Sequence, residues 1–285
     1  MLKIIHPGVY STIQDFGRYG YRSYGVPLSG AMDQYSSQFA NLILGNDKND
    51  AVLEMTMTGI TAEFLAPTII AVTGGLSPLL INDEPASYHH PLKICEGDRI
   101  SFKKDRPKGC RAYLALKGGF DSEVKLESRS MFTPVTNAFK IDKGDILGYK
   151  PWSNEKININ SKLKYNEELF QGDNLAVFPG PEFHLLNDTQ RHMLQHKVFK
   201  VSSLNDRMAY QIKPRLKNCL QSILSAPVMP GTVQLTPDGN LVILMRDAQT
   251  TGGYPRIFQL TEESINKLAQ KTVNHKVRFK IVFST

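Results

Sequence analysis

Two segments of the chain gather the residues that could hold and activate a small substrate. The first, QDFGRYGYRSYGVPLSGAMD, covers residues 14–33, and the second, MRDAQTTGGYPR, covers residues 245–256. Each combines glycines with hydroxyl groups, an aspartate and an arginine. Glycine lets the backbone approach a ligand closely, hydroxyl and amide groups can bind an oxygen, and arginine can bind a carboxylate through two hydrogen bonds. These groups suit a small, polar, anionic substrate.

Residue types within the two segments suggest hypothetical roles. Asp15 or Asp33 could orient a water molecule, and Arg18 could bind the anionic group. The predicted substrate-binding residues are Ser29, Gly30, Met32, Arg207, Arg246, Gln249, Thr250, Thr251, Gly252, Gly253 and Tyr254. A structural interpretation stays open, in which Asp15 and Arg18 form a buried ion pair and TTGGYP is only a tight turn.

The end of the first segment is predicted to begin a helix. Asp33 can cap the helix, and Gly45 can end it. Free N–H groups at the helix start, together with Ser29, could receive an anion or a carbonyl oxygen. We expect residues 249–255 to line the same pocket as residues 25–33, with Gly252 at a position that needs a positive φ and lets a ligand approach closely.

Other familiar catalytic and metal-binding patterns are absent from the sequence. There is no P-loop, no G-x-G-x-x-G after a strand, no G-x-S-x-G and no H-E-x-x-H. His192 and His196 have helical spacing but no third ligand nearby, so no metal site is predicted. The cysteines are widely spaced, which indicates three reduced thiols in a cytoplasmic protein. They are Cys95, Cys110 and Cys219.

Composition indicates a globular protein of one or two domains. The chain has 285 residues, of which 41% are hydrophobic and 21% charged, with a net charge of +7. The basic residues are scattered, so nucleic-acid binding is not predicted, and an anionic small substrate suits the charge. No apolar run approaches the roughly 20 residues that span a bilayer, and the first residues do not resemble a signal peptide.

Short apolar runs separated by turn residues predict a mainly β fold with a few short helices. Runs such as TIIAVTGG, RAYLALKGG and KVRFKIVF favour β-barrels over alternating strands and helices. Besides the helix after Asp33, we predict one over 181–195, with a possible break near Asn187, and one capped by Thr261.

A polar stretch divides the chain into two predicted halves. Residues 151–173 are rich in asparagine and lysine and are predicted to be a linker between halves 1–150 and 174–285. The halves have a weak internal similarity, since QDFGRYGYR and LNDRMAYQI place Asp, Arg and Tyr in similar order. Whether they are distant repeats stays open.

The two segments are part of a wider resemblance to a known family. PGVYSTIQDFGRYGYRSYGVPLSGAMDQYSSQFANLILGN resembles the opening of the allophanate hydrolase subunit 2 family, which includes KipA, the C subunit of bacterial 5-oxoprolinase. AVLEMTMTG, SRS, VFPGPEF, NDRMAYQI and PGTVQLTPDGNLVILMRDAQTTGGYPRI continue the match over nearly the whole chain. The stretch after SRS departs from the family, because it lacks the usual glycines.

This resemblance implies two cyclophilin-like β-barrel halves and a heteromeric enzyme. The implied partners are the B subunit of 5-oxoprolinase, which is of the KipI type, and its A subunit. Together such chains use ATP to open the lactam of 5-oxo-L-proline and release L-glutamate. Because this chain has no nucleotide motif, ATP is expected on a partner chain, and the chain alone is expected to be inactive.

Two alternatives to the 5-oxoprolinase interpretation stay open. The chain could be a regulatory protein that antagonises a KipI-type inhibitor of a histidine kinase. It could also be a biotin-dependent carboxyltransferase subunit similar to that of urea carboxylase, with biotin attached to a separate carrier. All three interpretations require a partner chain.

Overall fold

The chain folds into two compact units. The computed structural model describes residues 1–75, 77–103, 109–152 and 163–283. The first unit comprises Met1–Arg18 and Ser29–Asn166, and the second comprises Tyr19–Leu28 and Glu167–Thr285. Residues 19–28, which were predicted within the first half, therefore belong to the second unit.

The bounds of the predicted halves, 1–150 and 174–285, stay a prediction. Of the linker predicted at 151–173, residues 153–162 lie outside the described residues. The described part of that stretch includes a short 3-10 helix, Glu167–Phe170, which belongs to the second unit.

The strands of the first unit form two antiparallel sheets. One sheet has the order β11-β1-β4-β9-β6-β7, and the other has the order β2-β3-β10-β5-β8. The strands are β1 (Leu2–His6), β2 (Tyr10–Gln14), β3 (Val52–Thr56), β4 (Thr61–Phe64), β5 (Thr68–Gly74), β6 (Leu79–Ile81), β7 (Glu84–Pro85), β8 (Leu92–Ile94), β9 (Arg99–Phe102), β10 (Arg111–Leu116) and β11 (Ile146–Leu147).

A shared apolar core joins the two sheets. Alternate residues of each strand point to opposite faces, so Leu2 and Ile4 of β1 enter the same core as Leu53 and Met55 of β3. Phe64, at the end of β4, is completely buried in this core. Burial of such side chains is the main favourable contribution to the stability of the unit.

Helix α1 (Gln34–Ile43) packs on β5 and β10 of the first unit. Asp33 caps its start, because the Asp33 Oδ1 atom accepts a hydrogen bond from the Ser36 N–H at 3.0 Å. Gly45, with a φ of 61°, follows its end. The helix predicted between Asp33 and Gly45 is confirmed.

The second unit contains a closed barrel with the strand order β12-β19-β16-β17-β14-β13-β20. A separate two-stranded sheet pairs β15 with β18. The strands are β12 (Asn174–Pro179), β13 (Phe199–Asn205), β14 (Ala209–Lys213), β15 (Ala226–Pro227), β16 (Thr232–Leu235), β17 (Leu241–Leu244), β18 (Thr251–Gly252), β19 (Arg256–Leu260) and β20 (Lys276–Ile281). The mainly β prediction is confirmed.

The two helices of the second unit begin at capping residues. Helix α2 (Asp188–His196) has Asn187 as its cap, and the preceding turn, Phe183–Leu185, is a separate 3-10 helix. Helix α3 (Glu262–Ala269) has Thr261 as its cap. The break predicted near Asn187 and the cap predicted at Thr261 are therefore confirmed. Within the described ranges, no helix is long and apolar enough to cross a membrane.

Candidate functional site

The corner that precedes α1 contains two consecutive residues in the left-handed region. Ser29 has a φ of 56° and Gly30 a φ of 90°. A Cβ atom on Gly30 would lie 2.9 Å from both the carbonyl carbon and the carbonyl oxygen of Phe16. Because these atoms belong to the backbone, they cannot rotate away as a side chain could. The corner therefore requires glycine at position 30.

Two buried side chains on neighbouring strands bind the backbone of this corner. Glu54 of β3 lies opposite Tyr113 of β10 in the sheet. The Met32 N–H donates to Glu54 Oε2 at 2.7 Å, and the Asp33 N–H donates to the Tyr113 hydroxyl at 2.8 Å. The start of α1 is thus fixed on the outer face of the second sheet.

A buried arginine balances the charge of Glu54. Arg111 Nε lies 3.7 Å from Glu54 Oε1, and both side chains are buried. Such a pair tolerates burial only when its remaining polar atoms are also bound.

Burial is the main cause that raises the pKa of Tyr113 well above its ordinary value, and the charges of Glu54 and Asp33 raise it further. The hydroxyl therefore keeps its proton.

Sequence reasoning missed Glu54, Arg111 and Tyr113. A signal was present, because AVLEMT and RAYLAL place one charged residue each in runs that are otherwise suited to a buried strand. Charged residues are rarely buried unless they are paired. Such an interruption therefore indicates a buried partner, although the sequence does not identify it.

Most backbone N–H groups at the corner are already bound by the protein. The Ala31 N–H donates to the Asp15 carbonyl oxygen at 2.9 Å, and the Met32, Asp33 and Ser36 N–H groups have the acceptors described above. The expectation of free N–H groups at these four positions is therefore wrong. The Ser29 hydroxyl, by contrast, is buried and has no hydrogen-bond partner among the described residues.

Two predicted site residues at the corner are completely buried. The Met32 side chain is 0% exposed, which places it in the interior rather than on a ligand-facing surface. Asp33 is also 0% exposed, and the Ser36 N–H and hydroxyl bind its two carboxylate oxygens. The geometry therefore gives Asp33 the role of a helix cap. Its predicted catalytic role stays a prediction.

Substitution of Asp33 separates these two roles. Asp33→Asn retains an oxygen that can cap α1, so we expect the free energy of unfolding to change by less than about 1 kcal/mol. Asp33→Ala removes the cap and should cost about 1–2 kcal/mol. Urea denaturation measures both values. Loss of at least about 100-fold in activity by the Asn variant, at unchanged stability, would instead support a general base.

The Asp15 carboxylate binds the neighbouring Gly17 and the loop at residues 128–130. It accepts hydrogen bonds from the Gly17 N–H at 2.9 Å, the Ser128 hydroxyl at 2.7 Å, the Arg129 N–H at 2.5 Å and the Ser130 hydroxyl at 2.6 Å. These donors occupy the lone pairs that a catalytic base would need. The contacts give Asp15 a role in holding residues 128–130.

Arg18 binds the same loop from a fully buried position. Its Nε donates to the Lys125 carbonyl oxygen at 3.2 Å, and its Nη2 donates to the Ser130 carbonyl oxygen. Between them, Leu126 and Glu127 have φ values of 52° and 59°. Non-glycine residues adopt such values only when their surroundings hold them there. Asp15 and Arg18 together supply this restraint on the 125–130 loop, and their predicted catalytic roles stay predictions.

The two arginines predicted to bind substrate in the second unit bind carboxylates of the chain itself. Arg207 binds Asp247 through two hydrogen bonds of 2.7 and 3.1 Å. Arg246 binds Glu262 and, at 3.3 Å, the Asn266 side-chain oxygen. Both arginines are at least 90% buried. These contacts weaken the hypothesis that either guanidinium holds a substrate anion.

Two glutamines near β18 have buried amide atoms without partners. Gln249 Oε1 and Gln234 Nε2 each lack a hydrogen-bond partner among the described residues.

A Cβ atom on Gly252 would lie 2.5 Å from Gln234 Nε2. Gly252 belongs to a strand and has no positive φ. The expectation that Gly252 requires a positive φ is therefore wrong, and close approach to Gln234 explains the glycine. Sequence reasoning missed Gln234.

The remaining predicted residues of the second segment surround this strand. Thr251 and Tyr254 are exposed, whereas Thr250 is half-buried. The Thr250 carbonyl oxygen accepts from the Val228 N–H at 3.0 Å, and the Gly253 carbonyl oxygen accepts from the Ile223 N–H at 2.9 Å. Thr250 and Gly253 thus take part in backbone contacts on either side of β18.

Residues 19–28 reach the same part of the second unit. Arg22 Nη2 donates to the Val228 carbonyl oxygen, and the Val228 N–H in turn donates to Thr250. Through Val228, Arg22 of the segment at residues 14–33 thus lies near Thr250 of the segment at residues 245–256, within this unit. The expected common pocket for residues 25–33 and 249–255 stays a prediction.

Comparisons with known proteins agree on one family. A model described as the carboxyltransferase domain, subdomains A and B, matches residues 24–281. The chain is 32% identical to the 5-oxoprolinase C subunit of Escherichia coli strain K12, over 98% of this chain and 90% of that protein. It is 27% identical to the 5-oxoprolinase C subunit of Haemophilus influenzae, over 99% of this chain and 91% of that protein.

Solved structures extend the likeness to the fold. The chain superposes on TTHA0988 with a TM-score of 0.88 and 24% identity, over 98% of this chain but only 55% of that one. For the urea amidolyase of Kluyveromyces lactis, the TM-score is 0.84 and the identity 25%, over 98% of this chain and 18% of that one. The chain thus spans little more than half of one solved relative and a small part of the other.

Proposed function

Because the chain belongs to the family of the carboxyltransferase domain, subdomains A and B, we propose that it is the C subunit of an ATP-dependent 5-oxoprolinase. One observation carries the proposal. The similarity to the C subunit of the Escherichia coli enzyme covers 98% of this chain and 90% of that protein, so the two have nearly the same extent. The urea amidolyase of Saccharomyces cerevisiae is a much larger protein, of which the similarity covers only 7%.

The proposed reaction opens the five-membered lactam of 5-oxo-L-proline. The bond between the carbonyl carbon and the ring nitrogen breaks, water supplies a hydroxyl to the carbon, and the nitrogen receives a proton. The product is L-glutamate. An amide is stabilised by resonance, so coupling to ATP hydrolysis, which consumes a second water, supplies the drive. The A and B subunits of the proposed complex would hold ATP, since this sequence contains no P-loop.

Two polar groups of this chain suit contacts with an amide substrate or with a partner. In the first unit, the buried Ser29 hydroxyl has no partner among the described residues. In the second unit, the buried Gln249 Oε1 atom also has no hydrogen-bond partner among the described residues. An unbound buried polar group is costly, so a contact made only in the assembled enzyme would stabilise it. The free state of the three cysteines supports a cytoplasmic, reducing location for that enzyme.

The proposal is tested by reconstitution. The purified chain is assayed for ATP-dependent formation of L-glutamate from 5-oxo-L-proline, alone and with the purified A and B subunits. We expect activity only in the complete mixture, and no activity when ATP or any one chain is omitted. Absence of turnover in every combination, with a complex demonstrated by size-exclusion chromatography, would refute the proposal.

Gly252→Val should impair activity before it impairs folding. The added Cβ atom would lie 2.5 Å from Gln234 Nε2 and 3.4 Å from Val228 Cγ1, so Gln234 must move. We expect at least about a 10-fold loss of activity, which corresponds to about 1.4 kcal/mol, with partner binding largely intact. Gly172→Ala is the control, because it lies in the same unit, belongs to neither segment, and a Cβ atom there would meet nothing within 4 Å.

Thermal melting distinguishes the outcomes for Gly252→Val. A melting temperature close to that of the original chain, together with reduced turnover, supports a role of this strand in the reaction. A large fall in melting temperature with proportionate loss of soluble complex would mean that Gly252 serves folding alone.

A second candidate function is biotin-dependent carboxyl transfer. The family model is described as a carboxyltransferase domain, and part of the chain is 41% identical to the urea amidolyase of Saccharomyces cerevisiae. In this reaction, biotin would be attached to a separate carrier chain. The bond between its ureido nitrogen and the carboxyl carbon would break, a nitrogen of urea would bind that carbon, and the proton lost by urea would pass to the biotin nitrogen. Carboxyl transfer from labelled carboxybiotin to urea by the purified chain would favour this candidate over lactam hydrolysis.

A further inference from the structure

The first unit contains a polar cavity to which the first sequence segment contributes one lining residue, Asp15. Its volume is about 500 Å³, within the range of small-molecule sites. Three stretches of chain border it, residues 49–51, 118–121 and 127–129, together with the single residues Asp15, Val124 and Lys150. All three lie within the first unit. The cavity is therefore formed by a single compact body.

Two consecutive glycines form one wall of the cavity. Gly118 and Gly119 have φ values of 79° and 72°. A Cβ atom on Gly119 would lie 3.1 Å from the Cβ of Asp50, whereas one on Gly118 would meet nothing within 4 Å. The bare backbone thus leaves space at Gly118 and allows Asp50 to lie close to the wall at Gly119.

Arg129 supplies a positive charge from the 125–130 loop. Asp15 binds its backbone N–H, and Ser128 beside it, which fixes the position of the residue. Its Nη1 donates to the Ser122 carbonyl oxygen and lies 3.4 Å from Asp121 Oδ1. Among the described residues, no acceptor binds its Nε or Nη2. These two N–H groups form the edge of a guanidinium that suits a carboxylate.

Asp50 supplies a negative charge within the influence of Arg129. Its carboxyl group is half-buried, and desolvation by that burial raises its pKa. A backbone hydrogen bond with Asp47 and the positive charges of Arg129 and Lys117 lower the pKa, but burial outweighs them. The negative charge of Asp47, like burial, raises the pKa of Asp50. A bound N–H donor would compensate the desolvation of this carboxylate.

We propose that this cavity binds a small carboxylic acid that also carries an N–H donor. The ligand carboxylate would bind Nε and Nη2 of Arg129, and the ligand N–H group would bind the Asp50 carboxylate. Amino acids and the cyclic amides derived from them have both groups. The choice of ligand rests on the proposed function, because 5-oxo-L-proline and L-glutamate both belong to this class.

Other charges around the cavity support a ligand of mixed polarity. Asp15, Asp121 and Glu127 also line it, so a dicarboxylate without a nitrogen would meet three carboxylates in addition to Asp50. Lys150 contributes a second positive charge. We therefore expect the carboxylates of the cavity to attract a ligand that carries an N–H or ammonium group and to repel a ligand that carries only carboxylates.

Direct binding tests the proposal. 5-Oxo-L-proline, L-glutamate and glutarate are titrated into the purified chain, and into its complex with the A and B subunits, by calorimetry and ligand-observed NMR. We expect at least one of the two nitrogen-containing acids to bind, and glutarate to bind at least about 10-fold more weakly than L-glutamate. No binding of either nitrogen-containing acid to chain or complex would overturn the proposal, and so would equal binding of glutarate.

Variants assign the two ends of the ligand. Arg129→Gln should weaken binding about 10- to 100-fold, Arg129→Lys should weaken it less, and Asp50→Asn should weaken L-glutamate binding about 10-fold. Arg99→Gln is the control, because this side chain is 63% exposed and pairs with Glu63 at the surface. Circular dichroism verifies that each variant is folded. Unchanged affinity in folded Arg129→Gln would overturn the assignment.

The proposed function has a separate readout. If the complete enzyme forms L-glutamate while Arg129→Gln and Asp50→Asn bind ligand and turn over normally, the cavity proposal is wrong and the function stands. If the predicted pattern of binding is found but no mixture of the three chains turns over substrate, the function is wrong and the cavity proposal stands.

Discussion

Asp15→Ala is expected to lower the free energy of unfolding of the first unit by about 3–5 kcal/mol. The substitution removes the carboxylate that accepts four hydrogen bonds. Two backbone N–H groups and two hydroxyl groups thereby lose this acceptor. Each unsatisfied buried donor costs about 1–3 kcal/mol, although water entering the site offsets part of this sum. Few single substitutions on a protein surface approach such a loss.

Urea denaturation monitored by tryptophan fluorescence measures the effect of Asp15→Ala. The chain has one tryptophan, Trp152, which lies in the first unit and reports its unfolding. Asp145→Ala is the control, because the Asp145 carboxylate accepts a single hydrogen bond, from the Asp142 N–H at 2.8 Å, among the described residues. It should cost about 0.5–1 kcal/mol. Equal midpoints for the two variants would show that Asp15 stabilises the fold no more than Asp145 does, which would contradict the prediction.

Asp15→Asn then distinguishes a structural role from a catalytic one. The amide retains the size of the carboxylate but offers an N–H where the protein presents donors, so it should also destabilise the 125–130 loop. If Asp15 has a structural role, we expect the Asp15→Asn variant to lose activity and stability together. Activity lost at full stability would restore the hypothesis that Asp15 orients water, in spite of its four protein donors.

Local features of the fold were accessible from the sequence. A helix start depends on a capping side chain a few residues away, and its end on a glycine, so Asp33, Gly45 and Thr261 identified helix bounds correctly. Apolar runs of five or six residues between turn signals likewise indicated strands. In each case the determining interaction joins residues that are close in the chain.

Long-range partners were not accessible from the sequence. Asp15 binds Ser130, which is 115 positions away, and the Met32 N–H binds Glu54. The sequence gives the chemical type of Arg207 but not the Asp247 carboxylate that binds it. A motif rich in charged and polar residues therefore indicates a place where polar groups meet. It does not distinguish groups that meet a ligand from groups that meet one another.

Glycine presents the same ambiguity. It is required where φ is positive, where another atom lies too close for a side chain, or where both conditions hold. Gly252 meets the second condition, because Gln234 Nε2 lies 2.5 Å from the position of a Cβ atom. Gly144 meets the first, with a φ of 93° and open space around it. Gly30 meets both, so it should be the most sensitive of the three.

Gly30→Ala is expected to cost about 3–4 kcal/mol, which combines about 1–2 kcal/mol of left-handed strain with the displacement of backbone atoms. Its Cβ would lie 2.9 Å from the Phe16 carbonyl group and 3.0 Å from the Gly17 nitrogen. Gly144→Ala, in the same unit and at nearly the same φ, should cost about 1–2 kcal/mol, because it adds strain without a clash. Urea denaturation monitored by Trp152 compares the two variants directly. Equal losses would mean that the left-handed backbone alone demands glycine at the corner. A larger loss at Gly30 would mean that contact between the corner and residues 16–17 fixes the start of α1, and with it the position of the buried Ser29 hydroxyl.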